Sequence, residues 1–158
     1  MLLILGVASA MASPYYVAGN SQSVYRLSVS GARAKARFAY DVISLRPTST
    51  GGINLITTRY VVSARQSGAY EELSLRGSAS GCPTWTLTVY QASPDLYRIV
   101  AINGKRLTGL TNKINLAHMS DAAMQDGLAR FRDNASSIAS AGGMGPVSFD
   151  ELNPCAPR

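Results

Sequence analysis

Alternation of apolar and polar residues with a period of two, repeated between turn signals, constrains the fold of this chain more than any other feature. The clearest run alternates Trp85, Leu87 and Val89 with threonine and tyrosine. Successive side chains of a strand point to opposite faces, so this run predicts a half-buried strand. Similar runs, bounded by glycine, proline and serine, continue over residues 15–116. They predict six or seven strands joined by short connections, in an antiparallel sheet, a sandwich or a partly closed barrel.

One turn is specified by the identity of its residues. Asn103-Gly104 is a pair that readily adopts the positive φ angles of a two-residue type I′ hairpin turn. It predicts that residues 96–102 form a strand and that residues 105–110 return as its partner.

Helical periodicity replaces the alternation near the C-terminus. Apolar residues recur there at intervals of four and three: Met124, Leu128, Phe131, Ala135 and Ile138. Ser120 can cap the helix N-terminus, and Asp121 is favourable in the first turn. We therefore predict one amphipathic helix over residues 121–140, which must pack on the sheet or on a partner to be stable. The expected fold class is α+β, mainly β, with one C-terminal helix.

The first residues predict export. Residues 2–12 are apolar and end in small residues, so cleavage after Ala10 or Ala12 would fit a signal-peptidase site, although no basic residue precedes the run. We predict a signal peptide over residues 1–12 and a single β-rich domain over residues 13–158. The expected location is the bacterial periplasm, the outer surface or the extracellular space. No apolar run is long enough for a transmembrane span in the mature chain.

Two cysteines, Cys82 and Cys155, are the only ones in the sequence. In an oxidising compartment such a pair usually forms a disulfide, so export predicts a bridge that ties the C-terminal tail to the domain. Closing so long a loop stabilises a fold by roughly 4 kcal/mol in the chain-entropy description. The two cysteines lack the spacing of a redox motif or a zinc site.

Composition and charge limit the class of partner. The 158 residues are 46% hydrophobic and 15% charged, which excludes a wholly disordered chain. The net charge is +6, and residues 1–70 alone carry +6 while the last 42 residues carry −2. Twelve of the fifteen basic residues are arginine, which suits contacts with carboxylates and phosphates. The expected partners are a protein with an acidic face, further copies of the chain, or an anionic envelope polymer. Nucleic acid is not expected, because the basic residues are dispersed and no binding motif is present.

Tyrosine is also abundant, with eight residues against three phenylalanines and one tryptophan. Tyrosine has an apolar body and a polar tip, and is therefore common at interfaces as well as in strands. Tyrosine and basic residues of the early strands form the predicted interaction surface: Tyr25, Tyr60, Arg33, Lys35 and Arg37.

No catalytic constellation is recognisable. The single histidine, His118, lacks a nucleophile in a recognisable motif, and we interpret it as a surface residue at the helix entry. Glu71 and Glu72 are adjacent, so on a strand they would face opposite sides. No calcium-loop, phosphate-loop or zinc pattern is present, and neither a cofactor nor a metal is expected.

These observations predict an exported, non-enzymatic module of the cell envelope or extracellular space that binds a protein partner or is a structural subunit of a larger assembly. One alternative is a secreted hydrolase that uses dispersed carboxylates. A pocket holding two of four acidic residues would favour it: Asp41, Glu71, Glu72 and Asp95. The other alternative is a small-ligand carrier, which requires the strands to close into a barrel around an apolar cavity.

Overall fold

The computed structural model describes residues 13–20, 22–31, 36–50, 52–78, 81–107, 114–140 and 151–155. Nine strands and one helix follow one another along this part of the chain. They are β1 (Tyr15–Gly19), β2 (Ser23–Ser30), β3 (Arg37–Pro47), β4 (Ile53–Ser67), β5 (Tyr70–Gly77), β6 (Trp85–Ser93), β7 (Leu96–Ile102), β8 (Lys105–Arg106), β9 (Ile114–His118) and α1 (Asp121–Ser140). The predicted signal segment, residues 1–12, lies outside the described residues.

Eight of the strands form a closed antiparallel barrel. Strands β1 to β7 pair in sequence order, and β9 closes the ring by pairing with both β7 and β1. The prediction of six or seven strands was therefore too low, since the structure has eight barrel strands and the short β8. The strands missed are the ones that close the ring: β1 and β9 are five residues each, too short for a clear alternation. Their pairing with each other joins distant parts of the sequence, so no local sequence pattern predicts it.

The core lies inside the barrel and follows the predicted alternation. Trp85, Leu87 and Val89 of β6 are at most 2% exposed, whereas the residues between them are half-buried. Eight strands enclose a space that side chains can fill. Aliphatic and aromatic side chains from all the long strands fill it, including Leu27, Val42, Leu73, Leu75, Ile99 and Leu116.

The hairpin turn and the helix lie where they are predicted. Asn103 and Gly104 both have positive φ, at 52° and 78°, and join β7 to β8. The returning strand is only Lys105–Arg106, shorter than expected. Ser120 caps α1, because its hydroxyl accepts a hydrogen bond from the Ala123 N–H.

Helix α1 packs on the outer face of the barrel, against β3 and β4. Met124 is buried there, and Leu128 and Phe131 are half-buried. Ile43 and Leu45 point away from the barrel core on β3 but are also buried. The side chains of Ala135 and Ile138, the last two of the predicted apolar stripe, lie outside the described residues. In the parts of the chain that the structure describes, no helix is long and apolar enough to cross a membrane.

The predicted disulfide is present. Cys82, just before β6, is bonded to Cys155, which lies 73 residues further along the sequence, and their Cα atoms are 5.6 Å apart. The bond holds residues 151–155, which we call the tail segment, against one end of the barrel.

Candidate functional site

The outer surface of β5, β6 and β7 carries a connected set of tyrosine and arginine side chains. The rings of Tyr70 and Tyr90 meet edge to face with centroids 5.7 Å apart. Arg106 places its guanidinium 5.5 Å from the centroid of the Tyr70 ring. Arg98 donates one hydrogen bond to the Tyr90 hydroxyl at 3.0 Å and another to the Asn115 amide oxygen at 3.1 Å. We call Tyr70, Tyr90, Arg98 and Arg106 the Tyr/Arg face.

Alternation places these side chains outside the barrel. Tyr70 precedes Leu73 and Leu75, which point into the core, and lies on the opposite side of β5 from them. Tyr90 shares the outer side of β6 with Thr86 and Thr88. All four side chains of the face are half-buried or exposed. They present two rings and two cations to solvent in fixed relative positions.

The cations of this face have no carboxylate partner among the residues that the structure describes. The ion pairs found there join Arg26 to Asp41, Arg65 to Glu72 and Arg130 to Asp126. Among the described residues, Arg98 bonds to the Tyr90 hydroxyl and the Asn115 amide, and Arg106 lies over the Tyr70 ring, all of them neutral groups. Their charge is therefore available to an acidic partner.

A second arginine–tyrosine contact differs in this respect. Arg26 lies 5.3 Å from the centroid of the Tyr15 ring, but its guanidinium nitrogens are already engaged. Its Nε and Nη2 each donate to an Asp41 carboxylate oxygen at 2.7 Å, and its Nη1 contacts the Met124 sulfur of α1. The hydrogen bond to Asp41 raises the pKa of Arg26 above its ordinary value. This arginine ties β2, β3 and the helix together, and its role is structural.

The residues predicted for the interaction surface are placed differently from one another. Arg37 begins β3 and is exposed. Arg33 and Lys35 lie outside the described residues. Tyr25 and Tyr60 are each only 6% exposed and belong to the core.

Sequence reasoning overlooked the Tyr/Arg face, although part of its signal was present. Tyr90 lies on the polar side of the clearest alternating strand, which assigns it to the outer face. Tyr60 has no such signal, because both sides of β4 mix polar and apolar residues. The proximity of Arg106 to Tyr70 depends on how β8 folds back on β7, and spacing alone does not report it.

The end of the barrel under the tail segment is built from three rings. Tyr40, Tyr60 and Trp85 are in mutual contact, with centroids 5.3 to 5.9 Å apart. Tyr40 donates a hydrogen bond to the Leu152 carbonyl at 2.7 Å, and Tyr60 donates to the Asn153 amide oxygen at 2.6 Å. The core therefore continues into the tail segment.

The opposite end is closed by residues of the strands themselves. Tyr16 and Tyr97 pack edge to face at 4.7 Å, and the Tyr16 hydroxyl donates to the carbonyl of Pro94 in the turn after β6. Burial raises the pKa of both tyrosines, and the charges of Asp95 near Tyr16 and of Glu71 near Tyr97 raise it further. His118 is half-buried beside Tyr16, and its Nε2 lies 2.7 Å from the Ser13 carbonyl oxygen. It ends β9 and does not start the helix.

The four carboxylates of the hydrolase alternative are dispersed over several environments. Asp41 is bound to Arg26 and Glu72 to Arg65 on the outside of the barrel. Glu71 and Asp95 lie at the end of the barrel that holds Tyr16 and Tyr97. The charge of Asp95 raises the pKa of Tyr16, and that of Glu71 raises the pKa of Tyr97. Among the described residues, no cluster of histidine, cysteine and acidic side chains could hold a metal ion. The hydrolase and ligand-carrier alternatives both stay predictions.

Comparisons of this chain with protein-family models, with curated proteins and with solved structures find no match.

Proposed function

We propose that this chain is an exported, non-enzymatic binding module whose Tyr/Arg face contacts an acidic surface of a protein partner. The observation that carries the proposal is the pair of unneutralised arginines held beside two half-buried tyrosine rings. Tyrosine and arginine are enriched among the residues that contribute most to protein–protein binding. Charge complementarity then directs this face to carboxylates of the partner.

The arrangement of the face supports binding in a second way. Arg98 is held by two hydrogen bonds and Arg106 rests on a ring, so less side-chain freedom is lost when a partner engages them. Arg98 lies on β7 of the closed barrel, and Arg106 lies on β8, which is paired with β7. A planar guanidinium can also bind a carboxylate through two parallel hydrogen bonds.

Export is part of the proposal and is supported by two features. The apolar start of the chain resembles a signal peptide, and the Cys82–Cys155 disulfide is typical of proteins that fold in oxidising compartments. Both features are compatible with a place in the envelope or outside the cell.

The test replaces Tyr70 with a photoreactive phenylalanine analogue and irradiates the native envelope. We expect a crosslink to a protein, and its capture should fall at least tenfold when Arg106→Ala is added, since a central interface residue often contributes about 2 kcal/mol or more. Arg76→Ala is the matched control. Arg76 is an exposed arginine of β5, the strand that carries Tyr70, but it does not belong to the Tyr/Arg face.

A separate arm tests the basic segment predicted from the sequence. The triple variant Arg33→Ala, Lys35→Ala, Arg37→Ala removes three charges and leaves the four residues of the Tyr/Arg face unaltered. Loss of the crosslinked partner in this variant, with retention in Arg106→Ala, would move the contact surface to residues 33–37. Crosslinks to polysaccharide or lipid alone would replace the protein partner with an anionic envelope polymer.

A further inference from the structure

The tail segment contacts the barrel in the way that a bound peptide contacts its receptor, through one buried apolar side chain and several hydrogen bonds. The Leu152 side chain is 5% exposed and belongs to the core, and Asn153 is 3% exposed. Both ends of the Asn153 amide are engaged, because the oxygen accepts from Tyr60 and the nitrogen donates to the Ser44 hydroxyl at 3.2 Å. The barrel thus distinguishes a leucine followed by an asparagine.

Two further contacts involve only the backbone of the tail segment. The Leu152 carbonyl accepts from the Tyr40 hydroxyl, and the Cys155 N–H donates to the Tyr60 hydroxyl at 3.1 Å. Another polypeptide that adopts the same turns would offer the same backbone groups. A segment from another chain with the same side-chain pair could therefore satisfy all four hydrogen bonds.

The interior at this end also holds hydrogen-bonding groups that the tail segment leaves unused. Trp85 Nε1 and Thr58 Oγ1 are buried and lack a partner among the described residues. Thr58 lies two residues before Tyr60 on the same side of β4, and Trp85 contacts the Tyr60 ring. A buried donor without a partner is costly. An occupant with further polar groups could pair with Trp85 Nε1 and Thr58 Oγ1, which the tail segment does not.

The disulfide determines whether a second occupant can compete. While Cys82 and Cys155 are bonded, the tail segment is attached beside its own site and has an effective concentration of the order of millimolar or more. Cys82 and Cys155 are both half-buried, so a thiol can approach the bond from solvent.

We propose that this end of the barrel is a thiol-controlled peptide site, which accepts a leucine-asparagine segment of another polypeptide in the turn conformation of the tail segment once the Cys82–Cys155 bond is reduced. This site is separate from the Tyr/Arg face and does not depend on the function proposed for it.

The controlling reaction is thiol–disulfide exchange with a dithiol. One thiolate of the dithiol attacks a sulfur of the bridge and forms a mixed disulfide, and the other protein sulfur leaves as a thiolate. The second thiol of the dithiol then displaces the remaining protein sulfur and closes its own disulfide. The dithiol loses two electrons, and Cys82 and Cys155 gain two electrons and two protons.

Trp85 is the only tryptophan of the chain, which makes its fluorescence a direct reporter of this end. The experiment measures acrylamide quenching of Trp85 in the full chain before and after reduction with dithiothreitol. We expect quenching to rise at least twofold on reduction while the far-ultraviolet circular dichroism of the strands is retained. Unchanged quenching, with both thiols titratable, would overturn the proposal.

The probe for the second occupant is a synthetic peptide of residues 151–158 with serine in place of Cys155. Added to the reduced protein, it should restore the low quenching of the oxidised protein in a saturable manner. The same peptide with Leu152→Asp is the control and should have at least tenfold weaker effect. Equal effects of the two peptides, or none from either, would contradict specific peptide binding.

A variant with the disulfide intact covers the case in which reduction unfolds the chain. Asn153→Ala removes the two side-chain hydrogen bonds of the tail segment but keeps its covalent attachment. Because loss of these bonds weakens the competing tail segment even while it stays attached, the proposal requires higher Trp85 quenching than in the unaltered protein. The peptide should reverse it at a higher concentration than the reduced protein needs, and its Leu152→Asp control should not. Quenching equal to that of the unaltered oxidised protein, or a peptide without effect, would reject the site.

Discussion

The two ends of the barrel contain similar rings but are closed by different parts of the chain. At one end, Tyr40 and Tyr60 bind a segment more than ninety residues further along the sequence. At the other, Tyr16 packs on Tyr97 and bonds to the turn after β6, so strands and their own turn provide the closure. A disulfide ties the closing segment at the first end, whereas buried tyrosines with raised pKa values close the second. We therefore expect the first end to respond to thiols and the second to alkaline pH.

The difference also concerns what each hydroxyl contacts. The Tyr60 hydroxyl donates to Asn153 and accepts from the Cys155 N–H, in a buried setting. The Tyr16 hydroxyl donates to the carbonyl of the exposed residue Pro94. Loss of the hydroxyl at the tail end leaves buried groups without partners, whereas at the opposite end water can replace it.

The largest expected effect comes from filling the space that the disulfide occupies. A Cβ at position 77 would lie 2.8 Å from the Cys82 sulfur and 3.1 Å from the Cys155 sulfur. Gly77→Ala should therefore lower the free energy of unfolding by about 1–3 kcal/mol through overpacking. Where the disulfide fails to form, the loss should reach about 2–5 kcal/mol. Urea unfolding with thiol titration measures both effects.

Gly127→Ala is the matched control for that substitution. A Cβ at position 127 meets nothing within 4 Å, and the residue lies in the middle of α1. Alanine should stabilise the helix by up to about 1 kcal/mol. Equal destabilisation by the two variants would show that contact with the disulfide is not the cause.

The next effect compares the ends directly. Tyr60→Phe should cost about 1–3 kcal/mol, because it removes the hydroxyl that pairs with the buried Asn153 amide oxygen and the half-buried Cys155 N–H. Tyr16→Phe should cost only about 0.5–1.5 kcal/mol, the net value of an ordinary hydrogen bond. Chemical denaturation of both variants under oxidising conditions measures the difference. Equal losses would remove the distinction drawn between the two ends.

Local signals account for the features that the sequence predicted correctly. The β6 alternation, the Asn103-Gly104 turn, the Ser120 cap and the helix depend on neighbouring residues, and all are present. The cysteine pair was predictable because only one intramolecular pairing exists.

What escaped prediction depends on contacts between distant parts of the chain. Strands β1 and β9 lie far apart in the sequence and pair with each other to close the barrel. The hydroxyl of the buried Tyr60 is satisfied by Asn153 and Cys155, which lie over ninety residues away. Neither relation leaves a periodic trace, so the strand number and the burial of Tyr60 both required the structure.

The smallest effect is expected at the Tyr16–Tyr97 end and appears only at alkaline pH. Burial and nearby carboxylates raise the pKa of both tyrosines above the ordinary value. A group whose pKa is raised on folding contributes its full stabilisation below its unfolded pKa, about 10 for tyrosine, and loses it as the pH rises through the folded pKa. Stability attributable to this end should therefore be constant up to about pH 10 and decline above it.

Two measurements above about pH 10 test this prediction. Ultraviolet absorbance of tyrosinate follows the ionisation of the tyrosines, and denaturant unfolding gives the free energy of unfolding at each pH. In the unaltered protein, some of the eight tyrosines should ionise only at higher pH than the others, together with the loss of stability. Tyr97→Phe should reduce the number that ionise late and flatten the alkaline decline, because burial raises the pKa of Tyr97 in the folded chain and so links its protonation to stability. Reduction of the disulfide should leave the late ionisation of Tyr16 and Tyr97 in place, provided that the strands remain folded. If reduction abolished it, the two ends would be coupled through the barrel and their closures would not be independent.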